Sequence, residues 1–144
     1  MIYIFDIDGT LADISHRLHH IQQKPANWPA FFAACLDDKP IPEVIEIAKA
    51  LAPYHSIKLI TGRSDEIKEQ TSLWLNQQGI FFSDLLMRKA GDHREDNIVK
   101  SELLDVLLSG ATEAIAGVFE DRQQVVDMYR ARGIRVFQVA EGDF

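Results

Sequence analysis

Short apolar runs alternate along this sequence with longer segments of helical periodicity. Strands are predicted where apolar residues are nearly consecutive, at residues 2–5, 56–60, 114–119 and 134–139. Helices are predicted where apolar residues recur at helical spacing, at residues 42–51, 65–77, 100–108 and 122–132. Strands separated by helices of about 10–15 residues are typical of a parallel sheet covered on both faces. The pattern therefore predicts an α/β fold with a Rossmann-like parallel sheet and helices on both faces.

One segment, residues 15–40, interrupts this alternation. It contains Pro25, Pro29 and the run FFAAC, and we expect it to form a short helical cover over the sheet edge. The segment is too short for a separate domain, so residues 1–144 are predicted to form a single domain. Residues 81–87 have an ambiguous pattern and are expected to be loop and a short strand.

The formal net charge of −7 argues against a broad electrostatic grip on duplex nucleic acid, which requires a basic face. It leaves open the recognition of one phosphorylated end by a few arginines. No apolar run approaches the ~20 residues that span a bilayer, and the start lacks the features of a signal peptide. Cys35 is the lone cysteine and forms no internal disulfide, so we expect a cytoplasmic location and no membrane partner.

Polar residues follow three of the predicted strands at the point where each strand ends. Asp6 and Asp8 follow the first strand, Thr61 follows the second, and Glu120 and Asp121 follow a later one. The carboxyl ends of parallel strands share one edge of a sheet, so these side chains are expected to converge. Two carboxylates about 4 Å apart repel by about 4 kcal/mol at an effective dielectric near 20. A divalent cation removes this repulsion, and the sequence therefore predicts a Mg²⁺ site.

The same residues match a known family. The motif DIDGT at 6–10, TGR at 61–63, a later lysine and ED at 120–121 resemble, in order, the four motifs of haloacid dehalogenase-type (HAD) phosphatases. The resemblance implies that Asp6 is a nucleophile that forms an aspartyl-phosphate, and that Asp8 is the general acid and then the general base. It also implies that Thr61 hydrogen-bonds the phosphoryl group. An aspartate at position 8 favours a phosphatase over the ion pumps of the family.

The HAD resemblance also implies how the cation is held. Mg²⁺ would be bound by Asp6, by Asp121 and by the backbone carbonyl of Asp8, with Glu120 in support. The intervals from Asp8 to Thr61 and from Thr61 to the later lysine leave no room for a large cap domain. An open site of this kind suits a phosphate on a bulky substrate.

A narrower resemblance covers residues 87–104 and 119–144. Both stretches are similar to the 3′-phosphatase domain of phage polynucleotide kinase. The implied substrate-binding residues are Arg17, Gly62, Arg63, Arg88 and Asp96, and the implied third-motif lysine is Lys100. Glu120 departs from the pattern, which has an aspartate at that position. The sequence contains no GxxxxGK(S/T) loop, so no kinase domain is predicted in it.

The sequence therefore predicts a Mg²⁺-dependent phosphomonoesterase whose substrate is the 3′-phosphate of a nucleic-acid end or nucleotide. Two alternatives remain: a phosphatase of small nucleotides or sugar phosphates, and a non-catalytic phosphate-binding module. Lys89 is an alternative to Lys100 as the catalytic lysine. The sequence does not decide between DNA and RNA.

Several further residues have a structural interpretation in the sequence. His16, His19 and His20 are expected on a partly exposed helix face rather than in a metal site. The residues Trp28, Phe31 and Phe32 are expected to pack the cover, with a base-stacking surface as the alternative. Cys35 is expected in the core. Solvated surface is expected for Asp37, Asp38 and Glu113.

Overall fold

The computed structural model describes residues 1–142. Its strands are β1 (Ile2–Phe5), β2 (Ala12–Asp13), β3 (Lys39–Pro40), β4 (Ser56–Ser64), β5 (Asp84–Arg88), β6 (Ile115–Arg122) and β7 (Val136–Gly142). Its α-helices are α1 (His19–Gln22), α2 (Trp28–Ala33), α3 (Pro42–Leu51), α4 (Lys68–Gln77), α5 (Asp96–Gly110) and α6 (Gln123–Ala131). Five strands form a parallel sheet in the order β5-β4-β1-β6-β7, and β2 pairs with β3 in a separate antiparallel ribbon.

Helices cover both faces of the large sheet, as the hydrophobic pattern predicts. On one face, Phe5 and Leu59 pack in a core with α3 and α4. On the other face, Ile4 and Ile60 pack in a second core with α5 and α6. Alternate residues of a strand point to opposite faces, and therefore each buried central strand contributes to both cores. The predicted α/β fold is confirmed.

Two strands of the sheet, β4 and β6, are longer than the apolar runs from which they were predicted, and their polar ends stay in the sheet. β4 continues to Ser64 and β6 continues to Arg122, each with a register shift against its neighbour. Such bulges re-aim side chains at the edge of a sheet. The strand ends therefore carry their polar residues on sheet backbone rather than on loops.

Helix α5 begins at Asp96, four residues before the predicted start, so the prediction that Lys100 opens the helix is wrong. Residues 95–97 are polar and carry no apolar periodicity, so the hydrophobic pattern does not indicate this first turn. The Ser64 hydroxyl caps the 3₁₀ turn Asp65–Ile67 that precedes α4, because it accepts a hydrogen bond from the backbone N–H of Glu66. Gly133 follows α6 with a φ of +77°, the conformation in which glycine commonly ends a helix.

The cover segment contains α1, α2 and two 3₁₀ turns, at Ser15–Arg17 and Ala34–Asp37. Asn27 caps α2 by accepting a hydrogen bond from the N–H of Ala30. The indole of Trp74 on α4 donates to the Asp38 carbonyl at 2.8 Å and fastens the end of the cover. Cys35 is fully buried in the core, as predicted. Within residues 1–142, no helix is both long and apolar enough to cross a membrane.

Candidate active site

The polar strand ends meet at one cavity of about 1000 Å³. Asp6 and Asp8 lie in the loop after β1, Thr61 lies on β4, and Glu120 and Asp121 lie on β6. The arrangement follows from the parallel topology, which brings the carboxyl ends of β4, β1 and β6 side by side. The cavity is also lined by Gly62, Arg63, Arg88, Asp96 and Lys100.

Asp6 is 3% exposed and both of its carboxylate oxygens accept hydrogen bonds. Lys100 Nζ donates to Oδ1 at 2.9 Å, and the Thr10 hydroxyl contacts Oδ2 at 3.1 Å. Burial, followed by repulsion from Glu120, raises the pKa of Asp6 to about 8, although Lys100 opposes the shift. A buried carboxylate with this pKa favours a bound cation or proton.

Asp6, Glu120 and Asp121 form a cluster that could hold a metal ion. A carboxylate oxygen from each lies within 4.8 Å of one from the other two, and all three side chains are buried. Burial and then repulsion from Asp6 raise the pKa of Asp121 to about 7. Glu120 Oε1 accepts from the backbone N–H groups of Asp121 and Arg122, and Oε2 accepts from Lys100. Glu120 therefore anchors Lys100 as well as adding charge to the cluster.

Two glycines allow carboxylates to approach the backbone at this site. Gly9 has a φ of +82°, and a Cβ added there would lie 2.1 Å from Asp121 Oδ2. A Cβ added to Gly62 would lie 2.0 Å from Asp96 Oδ1. Any larger residue would displace the carboxylate. The glycines of the DIDGT and TGR motifs therefore have a local steric reason at these positions.

Asp8 is held by two arginines. Arg63 donates to Asp8 Oδ1 from Nε at 2.9 Å and from Nη2 at 2.7 Å, and Arg17 donates from Nη2 at 3.2 Å. Burial opposes ionisation of Asp8, but the attraction of Arg63 and then Arg17 outweighs burial and lowers its pKa below the ordinary value. The Asp8 side chain stays 23% exposed to the cavity.

Asp38 lies beneath the two arginines, and the prediction that it is solvated surface is wrong. Its side chain is fully buried, accepts from Arg17 at 2.7 and 2.9 Å and from Arg63 at 2.8 Å, and contacts His16 at 2.7 Å. The adjacent Asp37 is exposed, as predicted. The sequence places Asp38 in an aperiodic segment, and pairing with distant arginines leaves no local signal there.

Arg17 and Arg63 occupy different depths. Arg63 lines the cavity at 4% exposure, whereas Arg17 has no exposed surface and reaches the site through Asp8. Arg17 also donates to the Phe31 carbonyl at 3.3 Å, and its guanidinium carbon lies 4.2 Å from the centre of the Phe31 ring. Contact of either arginine with a phosphate stays a prediction.

Lys100 is 2% exposed and is surrounded by carboxylates. Its Nζ lies 2.9 Å from Asp6, 2.9 Å from Glu120 and 3.4 Å from Asp96. Burial lowers the pKa of Lys100, but attraction to Asp6 and Glu120 outweighs burial and keeps the pKa well above its ordinary value. Lys100 is therefore charged, and its placement beside Asp6 favours it over the exposed Lys89 as the catalytic lysine.

Arg88 holds the loop between β5 and α5. It donates from Nε to the Gly62 carbonyl at 2.8 Å, and from Nη1 to the carbonyls of Asp92 and Arg94 at 3.0 and 2.7 Å. Its Nη2 contacts Asp96 at 3.2 Å. Asp96 is thus shared between Arg88 and Lys100 in the first turn of α5. Contact of Arg88 with a substrate stays a prediction.

Comparison with known proteins identifies the family. The family model of the polynucleotide kinase PNKP phosphatase domain matches residues 1–144. A chain in the structure of the Pnkp1/Rnl/Hen1 complex is 31% identical, with a TM-score of 0.83 over 99% of this chain and 46% of that chain. A chain in the structure of the Pnkp1/Rnl/Hen1 RNA repair complex is also 31% identical, with a TM-score of 0.81 over 99% of this chain and 43% of that chain. The present chain therefore spans less than half the length of these two relatives.

More distant structures share the fold. A class C acid phosphatase from Bacillus anthracis is 16% identical, with a TM-score of 0.70 over 99% of this chain and 67% of that chain. A haloacid dehalogenase-like hydrolase from Streptococcus pneumoniae is 14% identical, with a TM-score of 0.68 over 95% of this chain and 83% of that chain. Within residues 1–142, no large cap domain interrupts this HAD-like fold. Both resemblances seen in the sequence are confirmed: the chain belongs to the family of polynucleotide kinase PNKP phosphatase domains.

Proposed function

We propose that this chain is a Mg²⁺-dependent phosphomonoesterase that acts through an aspartyl-phosphate on Asp6 and removes a 3′-phosphate from a nucleic-acid end. The observation that carries the proposal is the environment of Asp6. Its carboxylate lies 2.9 Å from a charged, buried lysine and within a cluster of carboxylates suited to a cation. A nucleophilic carboxylate and a phosphoryl group both carry negative charge and repel each other. The positive charges of the lysine and of the cation reduce this repulsion and so favour their approach.

The residues present fit a hard divalent cation. Asp6 and Asp121 offer carboxylate oxygens, and Gly9 lets Asp121 approach the backbone where a side chain would exclude it. Together with the backbone carbonyl of Asp8 they would hold the ion, and Glu120 would support Lys100 and the cluster. When bound, Mg²⁺ would neutralise charge on the carboxylates and on the phosphoryl oxygens. A ligand set made only of oxygen favours Mg²⁺ over softer metals.

In the first step, the Asp6 carboxylate attacks phosphorus, the ester P–O bond breaks, and the leaving oxygen receives a proton from Asp8. Thr61 on β4 and Lys100 would bind the phosphoryl oxygens. Asp8 must be protonated for this step. Arg63 and Arg17 hold its carboxylate at a fixed position on the cavity side of the sheet edge.

In the second step, Asp8 removes a proton from water, the water oxygen attacks phosphorus, and the Asp6–phosphate bond breaks. This regenerates the Asp6 carboxylate and releases inorganic phosphate. The attraction of Arg63 and Arg17 lowers the pKa of Asp8 and so favours the ionised form that accepts this proton. One carboxylate thus serves both steps, because the proton that it gives up in the first is replaced by the proton that it takes from water in the second.

The 3′ specificity rests on the family and on the arginines. PNKP-type phosphatase domains match the whole chain, and the related chains come from an RNA repair complex. Arg63 and Arg88 line the cavity, and the planar fork of arginine suits phosphate oxygens. Because the chain carries a net charge of −7, we expect few phosphate contacts and a shallow salt dependence of binding.

A small nucleotide or sugar phosphate is the second candidate substrate. The cavity of about 1000 Å³ is large enough to enclose such a molecule. We also propose a cytoplasmic location, because Cys35 is a free, buried thiol of the kind that a reducing compartment preserves.

A substrate panel tests the specificity. It compares a 3′-phosphorylated oligonucleotide, its 5′-phosphorylated isomer, 3′- and 5′-mononucleotides and sugar phosphates at equal concentration, with Mg²⁺ and after treatment with EDTA. We expect the highest kcat/KM on 3′-phosphates and no activity without the cation. The highest kcat/KM on a sugar phosphate or 5′-mononucleotide would favour the second candidate.

The covalent step is tested by acid quench of single turnovers with ³²P-labelled substrate. Labelled protein is expected for the wild type, and none for Asp6→Asn, whose turnover falls by at least about a thousandfold. The control is Asp13→Asn, which changes an exposed aspartate close in sequence. A label on Asp6→Asn, or residual turnover above this level, would exclude Asp6 as the nucleophile.

A further inference from the structure

Trp28 is a large apolar side chain that faces the catalytic cavity. It is 49% exposed and lines the same cavity as Asp6 and Asp8. Among the exposed large apolar side chains of residues 1–142, Trp28 is the one that lines this cavity, whereas Tyr54 and Phe81, both 82% exposed, lie outside it. Exposure of the apolar indole to water is unfavourable, and a ligand that covered the indole would remove this cost.

The Trp28 ring packs against two other aromatic rings. Its centre lies 5.7 Å from that of Phe31 in an edge-on arrangement and 5.9 Å from that of Phe32. Phe31 is 7% exposed and therefore forms the base of this group. We call Trp28, Phe31 and Phe32 the aromatic wall. The indole contacts the other two rings of the wall, and about half of its surface stays exposed at the cavity.

The aromatic wall is connected to the catalytic acid. Arg17 donates to the Phe31 carbonyl at 3.3 Å, its guanidinium lies over the Phe31 ring, and the same guanidinium donates to Asp8 at 3.2 Å. The position of the wall relative to Asp8 is therefore set through one buried side chain. A surface placed this way is suited to hold the part of a substrate that lies beside the scissile bond.

We propose that Trp28 stacks on the base of the nucleotide that carries the scissile phosphate. This inference rests on the proposed function and specifies the substrate further: the enzyme recognises a nucleoside as well as its phosphate. A flat, uncharged π surface suits any base, so the contact favours nucleotides over sugar phosphates without a strong sequence preference. Two apolar side chains at α1, Leu18 and Ile21, also line the cavity.

The experiment compares two 3′-phosphorylated oligonucleotides, one with an ordinary 3′-terminal base and one with an abasic 3′-terminal residue. Wild type is expected to show about a tenfold higher kcat/KM on the first. Trp28→Ala is expected to lose this difference by slowing on the ordinary substrate while keeping its rate on the abasic one. Trp28→Phe is expected to restore part of the preference, and Tyr54→Ala, at a site outside the cavity, is the control.

Other results overturn the inference. An equal loss of kcat/KM on both substrates in Trp28→Ala would mean that the residue only supports the fold of the cover, and no loss on either would mean that no base contacts it. If wild type hydrolyses neither 3′-phosphorylated oligonucleotide but hydrolyses 5′-mononucleotides or sugar phosphates, the proposed 3′ specificity fails and this inference fails with it. Activity on both oligonucleotides without a preference would refute the stacking contact alone.

Discussion

Asp8 and Asp38 accept hydrogen bonds from the same nitrogen atom, Nη2 of Arg63, at 2.7 and 2.8 Å. Nη2 of Arg17 joins the same two carboxylates at 3.2 and 2.9 Å. Asp8, the proposed general acid, and a fully buried aspartate of the cover are thus the two ends of one ion-pair network. Asp38 fixes the arginines, and the arginines fix Asp8.

Replacement of Asp38 tests this network. In Asp38→Asn, two buried arginines lose their shared counter-charge, so we expect the free energy of unfolding to fall by about 3 kcal/mol. We also expect kcat to fall while KM changes little, because Asp8 loses its fixed position. Asp37→Asn, at the exposed neighbour, is the matched control. An Asp38→Asn protein with normal kcat would show that the network supports stability alone.

We expect substitution of Lys100 and substitution of Lys89 to affect kcat differently. Lys100→Gln leaves the carboxylates of Asp6, Glu120 and Asp96 without their shared cation, so kcat should fall by about 100-fold or more. The melting temperature should fall as well. Lys89 is exposed, and Lys89→Gln is expected to keep its kcat within about twofold. The reverse ranking in steady-state assays would assign the catalytic role to Lys89.

Gly62→Ala tests the close approach of Asp96 to the TGR motif. The added methyl group would lie 2.0 Å from Asp96 Oδ1, so the carboxylate must move away from Arg88 and Lys100. We expect a lower melting temperature and at least about a tenfold loss of kcat/KM. Gly110→Ala is the control, because a methyl group there contacts nothing within 4 Å. Equal behaviour of the two variants would contradict the steric explanation.

The acidic cluster makes stability depend on pH and on the cation. Without a cation, burial and repulsion raise the pKa of Asp6 to about 8 and that of Asp121 to about 7, from ordinary values of 3.8. Between those ordinary and raised values, the folded protein binds more protons than the unfolded chain. This contribution to stability is therefore present at about pH 4 and is lost as the pH rises to about 8.

We expect Mg²⁺ to raise the melting temperature more at about pH 8 than at about pH 5, because at the lower pH the ion must displace protons from its ligands. Thermal unfolding in EDTA and in Mg²⁺ at both pH values measures this difference. Asp6→Asn lacks one of the titrating groups and should show a smaller effect. An equal increase in melting temperature at both pH values would argue against cation binding at this cluster.

The order of strands and helices and the position of the candidate active site could be predicted from the sequence. Consecutive apolar residues and helical spacing are local signals, and a parallel sheet brings the carboxyl ends of its strands to one edge. The ends of the predicted strands are therefore enough to place Asp6, Thr61 and Asp121 together. The glycines of the same motifs are visible in the sequence, but the carboxylates that approach them, Asp121 at Gly9 and Asp96 at Gly62, are distant in the sequence and are placed there by the fold.

The tertiary structure decided mainly which charged side chains form ion pairs with residues distant in the sequence. Asp38 and its neighbour Asp37 have the same local sequence character, yet Asp38 is buried because the cover folds it against Arg17 and Arg63. Arg88 has its guanidinium occupied by the loop that precedes α5. The hydrophobic pattern indicates which residues leave water, whereas a buried charge is stable only beside a partner, and here the partners are distant in the sequence. Such a partner becomes identifiable only when the chain has folded.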